Sequence, residues 1–513
     1  MTSDKPILLT DEQMQRFIAH GYLCLKTTLP ESFHNNIYAR FDELIGGEAN
    51  QNPGNNLLPA VPEIQRVFDD PAVQGALTSV LGPDYVMHPH RALHNNVPGS
   101  DAQAMHKDSY WGYTRRVRNH RPRWVMIMYV PQATPLERGP TGVIPGSQFQ
   151  MQRPDEDLMP EVPGSLETGG FLLIHYDIWH RKMKNLTDQK RFMMKFEFIR
   201  MQAEPSVSWD HRDDAWTLAD APPMDMTAVW ARQWAWLRGA RNEARPTMAA
   251  TPADAAGLDD ADPQARLKAV NALAAEPDAA RTAHEGLARL LGDEVEPVSV
   301  AASYALAAAG EAAIPTLRDI VRADDADDVG VNVSGERGEG AAVGQRARNA
   351  AYALAEIGEP AIPTLLDLLE TGKGRARKLA AFALGEVASN DPRLVQALCD
   401  ATRDADVLVR INAVEALGLK TGTPGAVEAL VRAVRDEDPQ VRFSAALSLA
   451  QIGPAADAAV PALQSALDDD NRYVPGYAVE ALERIATPAA MRALLPFLKT
   501  ARWCKHTTAK SIY

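Results

Sequence analysis

The feature that most constrains the fold is a motif that recurs through the second half of the chain. A charged turn precedes an Ala-rich segment that ends in a leucine, and a second apolar segment follows. The aligned leucine occurs seven times, at intervals of 33, 48, 30, 33, 32 and 33 residues. Its positions are Leu273, Leu306, Leu354, Leu384, Leu417, Leu449 and Leu482. One helix pair of this length cannot bury its apolar face alone, so the pattern predicts stacked helix pairs in an α-solenoid.

These repeats resemble HEAT-like repeats. We expect them to occupy residues 262–500, followed by a tail at 501–513. The single 48-residue interval contains an insertion near 323–340, whose run of aspartates predicts a mobile acidic loop. The ligand spacing of an EF-hand is absent there, so we do not expect a calcium site. A solenoid surface of this kind commonly holds a protein partner.

The first half of the chain has a different pattern. Apolar residues at helical spacing predict helices over 9–46 and about 71–81. From Tyr85 to Gln202 the period moves toward two, and turn residues separate the apolar runs, which predicts β-strands. The whole chain is therefore predicted to be a multidomain protein. Residues 1–205 would form a jelly-roll (double-stranded β-helix) with flanking helices, in front of an all-α solenoid.

Residues 206–261 are interpreted as a connector and linker. This segment holds five tryptophans: Trp209, Trp216, Trp230, Trp234 and Trp236. Several of them fall on one face of a helix. The favoured interpretation is that they join the two halves, and the alternative is a lid over a site in the first half.

One pair of residues in the first half has the spacing of metal ligands. His106 and Asp108 are two residues apart, so they project from the same face of an extended strand, and His180 follows 72 residues later. Two imidazoles and one carboxylate hold non-haem Fe(II) on one face and leave three positions open. Arg191, 11 residues beyond His180, heads an alternating apolar run and could bind a carboxylate bidentately.

Taken together, these motifs resemble the phytanoyl-CoA dioxygenase-like branch of the Fe(II)/2-oxoglutarate-dependent oxygenases. The similarity covers roughly 8–202 and includes the His106-Lys107-Asp108 motif and the stretch 139–148. Two positions depart from the family pattern. Gln148 stands where the family has histidine, and Lys182 stands where a small hydroxyl residue is common. The second departure bears on how 2-oxoglutarate is bound.

The resemblance implies a function and a set of cofactors. Fe(II) would be held by His106, Asp108 and His180, which are also the catalytic residues, and Arg191 would bind the distal carboxylate of 2-oxoglutarate. With O2, such a site hydroxylates a C–H bond of a small-molecule substrate and releases succinate and CO2. Two alternatives stay open. One is a non-catalytic scaffold with a degenerate barrel, and the other is a protein hydroxylase whose solenoid holds its substrate.

Charge and composition limit which partners and which cellular compartment we expect for this protein. The net charge is −14, with most of the acidic excess in the second half, so nucleic acid is not an expected partner. The three cysteines lack metal-type spacing, and no signal peptide or membrane-length apolar run is found, so we expect a reducing cytoplasm.

A basic segment follows the metal motif. Five arginines lie within 115–123. They are interpreted as a rim that attracts an anionic substrate, as a docking surface for the acidic half, or as a solvated loop. Opposite charge on two tethered halves favours their contact. We therefore expect the solenoid to lie against the barrel mouth, and the competing hypothesis is an independent recruitment module.

Overall fold

The computed structural model describes residues 5–46, 52–108, 117–202, 206–240, 255–326, 344–420 and 423–500. The chain folds into an N-terminal β-rich part with flanking helices and a C-terminal helical repeat part, as the sequence predicted. The N-terminal α-helices are α1 (Asp11–His20), α2 (Glu31–Gly46), α3 (Leu57–Ala60), α4 (Gln65–Phe68) and α5 (Pro71–Leu81).

Two antiparallel sheets form the barrel. The strands are β1 (Tyr22–Lys26), β2 (Tyr85–Asn96), β3 (Trp124–Tyr129), β4 (Thr141–Val143), β5 (Val162–Gly164), β6 (Gly170–His175), β7 (His180–Lys182) and β8 (Arg191–Arg200). The larger sheet has the order β1-β6-β3-β8-β2 and the smaller one the order β5-β4-β7. Strands β3, β6 and β8 are buried along their whole length, because helices cover one face of the sheet and the barrel interior lies on the other.

Strand β1 corrects the prediction of helix throughout 9–46. A capping box at Thr10 starts α1, and Gly21, with φ of 81°, ends it. The next five residues pair with β6, with Tyr22 opposite Ile174. Five residues carry too little periodicity to show a strand, and the partner lies about 150 residues away in sequence.

The segment before the metal motif extends the smaller sheet. His106 and His180 exchange both backbone hydrogen bonds, at 3.0 and 2.9 Å. The Gln103 amide also donates to the Lys182 carbonyl at 2.9 Å. Since directly opposed residues of an antiparallel pair project from the same face, this pairing brings the two imidazoles side by side.

The described part of the solenoid contains seven helix pairs. Its helices are α7 (Pro263–Ala275), α8 (Pro277–Thr282), α9 (His284–Arg289), α10 (Glu296–Ala309), α11 (Ile314–Ala323), α12 (Gln345–Ile357), α13 (Ile362–Thr371), α14 (Gly374–Glu386), α15 (Pro392–Ala401), α16 (Val407–Gly418), α17 (Pro424–Ala433), α18 (Pro439–Ile452), α19 (Val460–Ala466), α20 (Tyr473–Ile485) and α21 (Pro488–Thr500). The short helices α8 and α9 together complete the first pair. Each aligned leucine lies in the first helix of its pair and is buried.

Arginine–aspartate pairs join successive repeats. The pairs are Arg266–Asp293, Arg377–Asp404, Arg410–Asp436 and Arg442–Asp469, all at 2.7–2.9 Å. Each arginine lies in the first helix of a repeat, and its aspartate lies 26 or 27 residues later. These contacts recur because the repeat itself recurs, so they are local in sequence.

Most of the predicted acidic insertion near 323–340 lies outside the described residues, which end at 326 and resume at 344. Of its aspartates, Asp325 accepts hydrogen bonds from the backbone amides of Lys373 and Ala376, at 2.7 and 3.0 Å. This carboxylate therefore caps the start of α14. By length and composition the segment Glu296–Ala323 could cross a membrane. It consists of the two helices α10 and α11, however, which are separated at Gly310 with φ of 66°, and 78% of its apolar 18-residue window is buried inside the protein.

The connector contacts both halves. Its helix α6 (Thr227–Leu237) buries Trp230 and Trp234. The Trp209 indole donates to Asp11 in α1 at 2.6 Å. The backbone amide of Ala228 donates to Asn271 in α7 at 3.0 Å.

The first helices of the repeats contact the barrel directly. The Tyr352 hydroxyl donates to the Arg118 carbonyl at 2.7 Å, and Arg121 pairs with Glu386 at 2.7 Å. Further along, Arg484 pairs with Asp84 at 2.6 Å. The described part of the basic segment thus forms a docking surface, while Arg115 and Arg116 lie outside the described residues.

Candidate metal centre

The sheet pairing gathers the three predicted ligands. The ring centroids of His106 and His180 are 4.7 Å apart. The Asp108 Oδ1 atom lies 3.8 Å from His106 Nε2, and Oδ2 lies 3.8 Å from His180 Nε2. One donor atom from each residue lies within 4.8 Å of the other two. Over the described part of the chain, no other group of three His, Cys, Asp or Glu residues converges in this way.

Backbone carbonyls set the tautomer of both imidazoles. His106 Nδ1 lies 2.9 Å from the Ala104 carbonyl, and His180 Nδ1 lies 3.0 Å from the Ile178 carbonyl. A carbonyl only accepts, so each Nδ1 must carry the proton. Each Nε2 therefore presents a lone pair toward Asp108, which is the arrangement that metal-ligating histidines require.

The electrostatics keep the ligand atoms in their metal-binding forms. Burial raises the pKa of Asp108, but the cation of Lys195 and the two imidazoles outweigh it and hold that pKa below its usual range. Burial lowers the pKa of His180 to about 4, although Asp108 opposes the shift. At neutral pH the site therefore offers a carboxylate and a neutral imidazole. Two nitrogens and one oxygen are a donor set that suits Fe(II), and one donor atom of each residue lies within 4.8 Å of the other two.

Lys195 is a neighbour of the site that the sequence analysis did not single out. Its Nζ donates to Asp108 Oδ2 at 2.7 Å, and both side chains are buried. The signal was present in β8, where Arg191, Lys195 and Glu197 alternate with phenylalanine and methionine. Alternate residues share a face, so all three polar side chains point into the barrel.

Arg191 lies inside the barrel with part of its guanidinium unsatisfied. It is 2% exposed, and its Nη2 donates to Thr141 Oγ1 at 3.0 Å. Its Nε and Nη1 atoms have no hydrogen-bond partner among the described residues. Burial lowers the pKa of Arg191 to about 10, so the group stays charged at neutral pH. A buried charge without a counter-ion is costly, and a bound carboxylate would relieve that cost.

Two further residues lie near Arg191, and the sequence alone did not place either of them there. His94, on β2, is buried, and its Nε2 also lacks a partner in the described structure. Burial, with Lys195 and Arg191 nearby, lowers the pKa of His94 to about 3. Thr141 is directly opposite Lys182 in the pairing of β4 with β7. The hydroxyl beside Arg191 therefore comes from Thr141 on β4. In the family pattern the hydroxyl residue stands at the position of Lys182, on the neighbouring strand β7.

Residues 139–148 hold neighbours of the candidate site in place. Ser147 Oγ accepts from the Trp179 amide at 3.0 Å, which fixes the residue before His180. Gln148 Nε2 donates to the Ile18 carbonyl in α1 at 2.9 Å. Gln148, which replaces the family's histidine, is therefore an anchor between the barrel and its first helix.

The metal motif faces the solenoid. Lys107, between the two ligands in sequence, donates to the Ser147 carbonyl at 3.3 Å. Burial lowers the pKa of Lys107 to about 7, and the charges of Glu296 and Arg348 in the solenoid are close enough to act on it. The candidate metal centre and the helical repeats thus lie on adjoining surfaces.

Comparison with known proteins assigns the two parts to families. The model of the phytanoyl-CoA dioxygenase family matches residues 19–193. The model of HEAT repeats matches 395–474, and that of the PBS lyase HEAT-like repeat matches 347–371. No curated protein sequence matches the chain significantly.

Several solved structures are similar to part of the chain. The α-ketoglutarate-dependent carbocyclase SnoK of nogalamycin biosynthesis is 16% identical, with 39% of this chain and 88% of that chain covered and a TM-score of 0.32. The epimerase SnoN of the same biosynthesis is 18% identical, with 37% and 81% covered and a TM-score of 0.31. EctD from S. alaskensis, solved with 2-oxoglutarate and 5-hydroxyectoine, is 16% identical, with 39% and 79% covered and a TM-score of 0.32. At these scores the likeness carries no functional argument, so the assignment depends on the family models. The chain joins a domain of the phytanoyl-CoA dioxygenase family to C-terminal HEAT repeats.

Proposed function

We propose that this protein is an Fe(II)- and 2-oxoglutarate-dependent oxygenase that hydroxylates a C–H bond of a small molecule. One observation carries the proposal. Three convergent ligand atoms lie in the same barrel as a buried arginine with two unpaired nitrogens. The first feature suits a divalent metal with open coordination positions, and the second suits a carboxylate.

The residues divide into two roles. His106 Nε2, His180 Nε2 and Asp108 would hold Fe(II). Arg191, with Thr141 beside it, would hold the distal carboxylate of 2-oxoglutarate. When Fe(II) and 2-oxoglutarate are bound, they would supply oxidative decarboxylation with O2, which releases succinate and CO2 and oxidises the substrate.

The protein's own residues prepare the site in the absence of ligands. The carbonyls of Ala104 and Ile178 keep both Nε2 atoms unprotonated. Lys195 fixes one oxygen of Asp108 and leaves the other free. Arg191 remains charged in a dry environment, so binding of a carboxylate does not require the protein to reorganise.

Residues 1–205 would form the oxygenase domain and 206–261 the connector, and 262–500 would be a structural extension of the oxygenase domain. The repeats place Tyr304 and Tyr352 against His120, near the metal motif. Repeat surfaces that already bind the barrel are not free to hold an extended polypeptide. We therefore favour a small-molecule substrate over a protein substrate held by the solenoid.

A degenerate, non-catalytic barrel is the alternative that the interior argues against. Keeping Arg191 and His94 buried with unpaired nitrogens destabilises the fold. A barrel without a ligand would be more stable with apolar residues at these positions.

The test is an anaerobic titration of metal-free protein with Fe(II) and 2-oxoglutarate. We expect a metal-to-ligand charge-transfer band in the visible, followed by substrate-stimulated succinate formation in air. His106→Ala should abolish the band. His211→Ala is the matched control, because His211 pairs with Asp11 in α1 at 2.7 Å, outside the candidate site. Folded wild-type protein without the band would refute the proposal.

A further inference from the structure

A row of buried side chains crosses the barrel from the candidate metal ligand Asp108 to the last repeat of the solenoid. Asp108 Oδ2 accepts from Lys195 Nζ at 2.7 Å, and that ammonium lies 3.7 Å from Glu197 Oε1. Glu197 Oε2 lies 3.8 Å from His88 Nε2. On its other side, His88 Nδ1 is hydrogen-bonded to the Tyr477 hydroxyl. All five side chains are buried.

The fold explains how a solenoid residue reaches this interior. The β2–β8 register shifts between Met87 and Arg91, and the irregular stretch holds His88. Helix α20 packs against this part of β2. Its Tyr473 stacks on the His88 ring, with centroids 5.5 Å apart and planes 23° apart. The Tyr473 hydroxyl also lies 3.2 Å from His90 Nδ1. The last repeat thus contributes two tyrosines to the inside of the barrel.

We propose that the last solenoid repeat positions the metal ligand Asp108 through this row and is therefore part of the metal centre. The inference rests on the proposed function. Tyr477, His88, Glu197 and Lys195 are positioning residues here, since none of them would touch the metal. Their joint effect is to hold Asp108 with Oδ2 engaged and Oδ1 free.

The position of each member of the row depends on its neighbours. Lys195 lies between the carboxylate of Asp108 and the carboxyl group of Glu197, so its location depends on where both side chains sit. Burial raises the pKa of Glu197 well above its usual range, although Lys195 opposes the shift. Glu197 has no hydrogen-bond partner for either oxygen among the described residues, so its contacts with Lys195 and His88 locate it. Polar contacts of this kind are strong away from water, so a change in one member alters the position of the next.

The chain also offers a contact that separates positioning from docking. Arg484 of the same helix α20 donates to both carboxylate oxygens of Asp84, at 2.7 and 2.6 Å. This ion pair holds α20 against the barrel, but it is not a member of the row. Asp84→Asn therefore weakens docking and leaves the row intact.

A double-mutant cycle on metal affinity tests the inference. Metal-free wild type, Tyr477→Phe, Lys195→Met and the double variant are each titrated anaerobically with Fe(II), and Kd is measured directly. Partners of metal ligands typically change metal affinity by about 10–100-fold. Because Tyr477 is more distant, we expect a change of about threefold from Tyr477→Phe. In the Lys195→Met background the same substitution should change Kd hardly at all, because the link is already broken.

Asp84→Asn should lower the melting temperature with an unchanged Fe(II) Kd. Three results would overturn the inference: additive effects on Kd in the cycle, an unchanged Kd in Tyr477→Phe, or a loss of Fe(II) affinity in Asp84→Asn equal to that in Tyr477→Phe. In each case, Fe(II) binding by the wild type would still support the proposed function. A wild type that binds no Fe(II) would refute both. Circular dichroism checks each fold, and Glu197→Gln replaces Lys195→Met in the cycle if the latter does not fold.

Discussion

The barrel interior and the interface between barrel and solenoid both bury charged groups, but the two regions differ in how completely those groups are hydrogen-bonded. At the interface, Glu386 accepts hydrogen bonds from Asn119, Arg121 and Arg123 at 2.7, 2.7 and 3.1 Å. In the interior, Arg191 has no ion-pair partner among the described residues, and two of its nitrogens are unpaired.

The difference indicates two purposes for buried charge. A carboxylate that three donors satisfy locks two surfaces together and needs nothing from outside. An unsatisfied guanidinium lowers stability until a ligand arrives. Substitution of Glu386 at the interface should therefore cost stability and spare ligand binding, while substitution of Arg191 in the interior should cost ligand binding and spare stability.

Removal of the solenoid should have the largest effect. A chain ending at residue 240 loses the contacts of α6 with α10, including that of Gln233 Nε2 with the Tyr304 hydroxyl at 3.2 Å. The apolar residues of α6 then face water, so we expect aggregation. Soluble yield and size-exclusion chromatography measure this. A monomeric, well-folded 1–240 that binds Fe(II) as tightly as the full chain would show that the interface is dispensable.

Asp108→Ala should abolish tight Fe(II) binding. Two imidazoles alone rarely hold a labile divalent ion, so we expect Kd to rise by more than about 100-fold. Circular dichroism should still show a native fold, although the melting temperature should fall because the buried Lys195 ammonium loses its partner at 2.7 Å. A native fold that no longer binds iron separates a ligand from a purely structural residue. Unchanged Fe(II) affinity would remove Asp108 from the site.

Glu386→Ala should destabilise the fold by about 3 kcal/mol, because it leaves buried arginines without their partner. Burial raises the pKa of Glu386, but Arg123 and Arg121 outweigh it and lower that pKa to about 2. A depressed carboxyl pKa contributes stability above the unfolded value of about 4.3. That contribution is lost as the pH falls toward the folded pKa.

Urea unfolding of wild type and Glu386→Ala at pH 7 and pH 3 checks both points. The difference between the two proteins should shrink at pH 3. Fe(II) affinity at pH 7 should be the same in both, and a weakened affinity would break the division between interface and interior.

Arg191→Met should raise the KM for 2-oxoglutarate by about 10- to 100-fold, since a charged hydrogen bond contributes about 1.5–3 kcal/mol. Its melting temperature without ligand should be equal to or above that of the wild type, because an uncompensated buried charge is removed. Arg138→Met is a control at a partly exposed arginine that donates to the Lys190 carbonyl at 2.7 Å. A wild-type KM in Arg191→Met would mean that the carboxylate binds elsewhere.

The amino-acid sequence by itself was enough to predict the two-part architecture and the three candidate ligands. The recurring leucines identify the solenoid because helix periodicity and repeat length are local properties. His106, Asp108, His180 and Arg191 were found because their chemistry and spacing resemble a known family. Strand β1 was not predicted, because its five residues are recognised as a strand only by their pairing with β6.

Only the tertiary structure decided which other side chains join the site. Thr141, His94 and Lys195 come from three strands. The alternation in β8 marks Lys195 as an unusual buried cation, but no local pattern places any of the three beside Asp108 or Arg191. The same holds for Tyr477, which meets His88 across 389 residues of chain. Periodicity reports which face of an element is buried, but sheet register and the docking of repeats determine what that face meets.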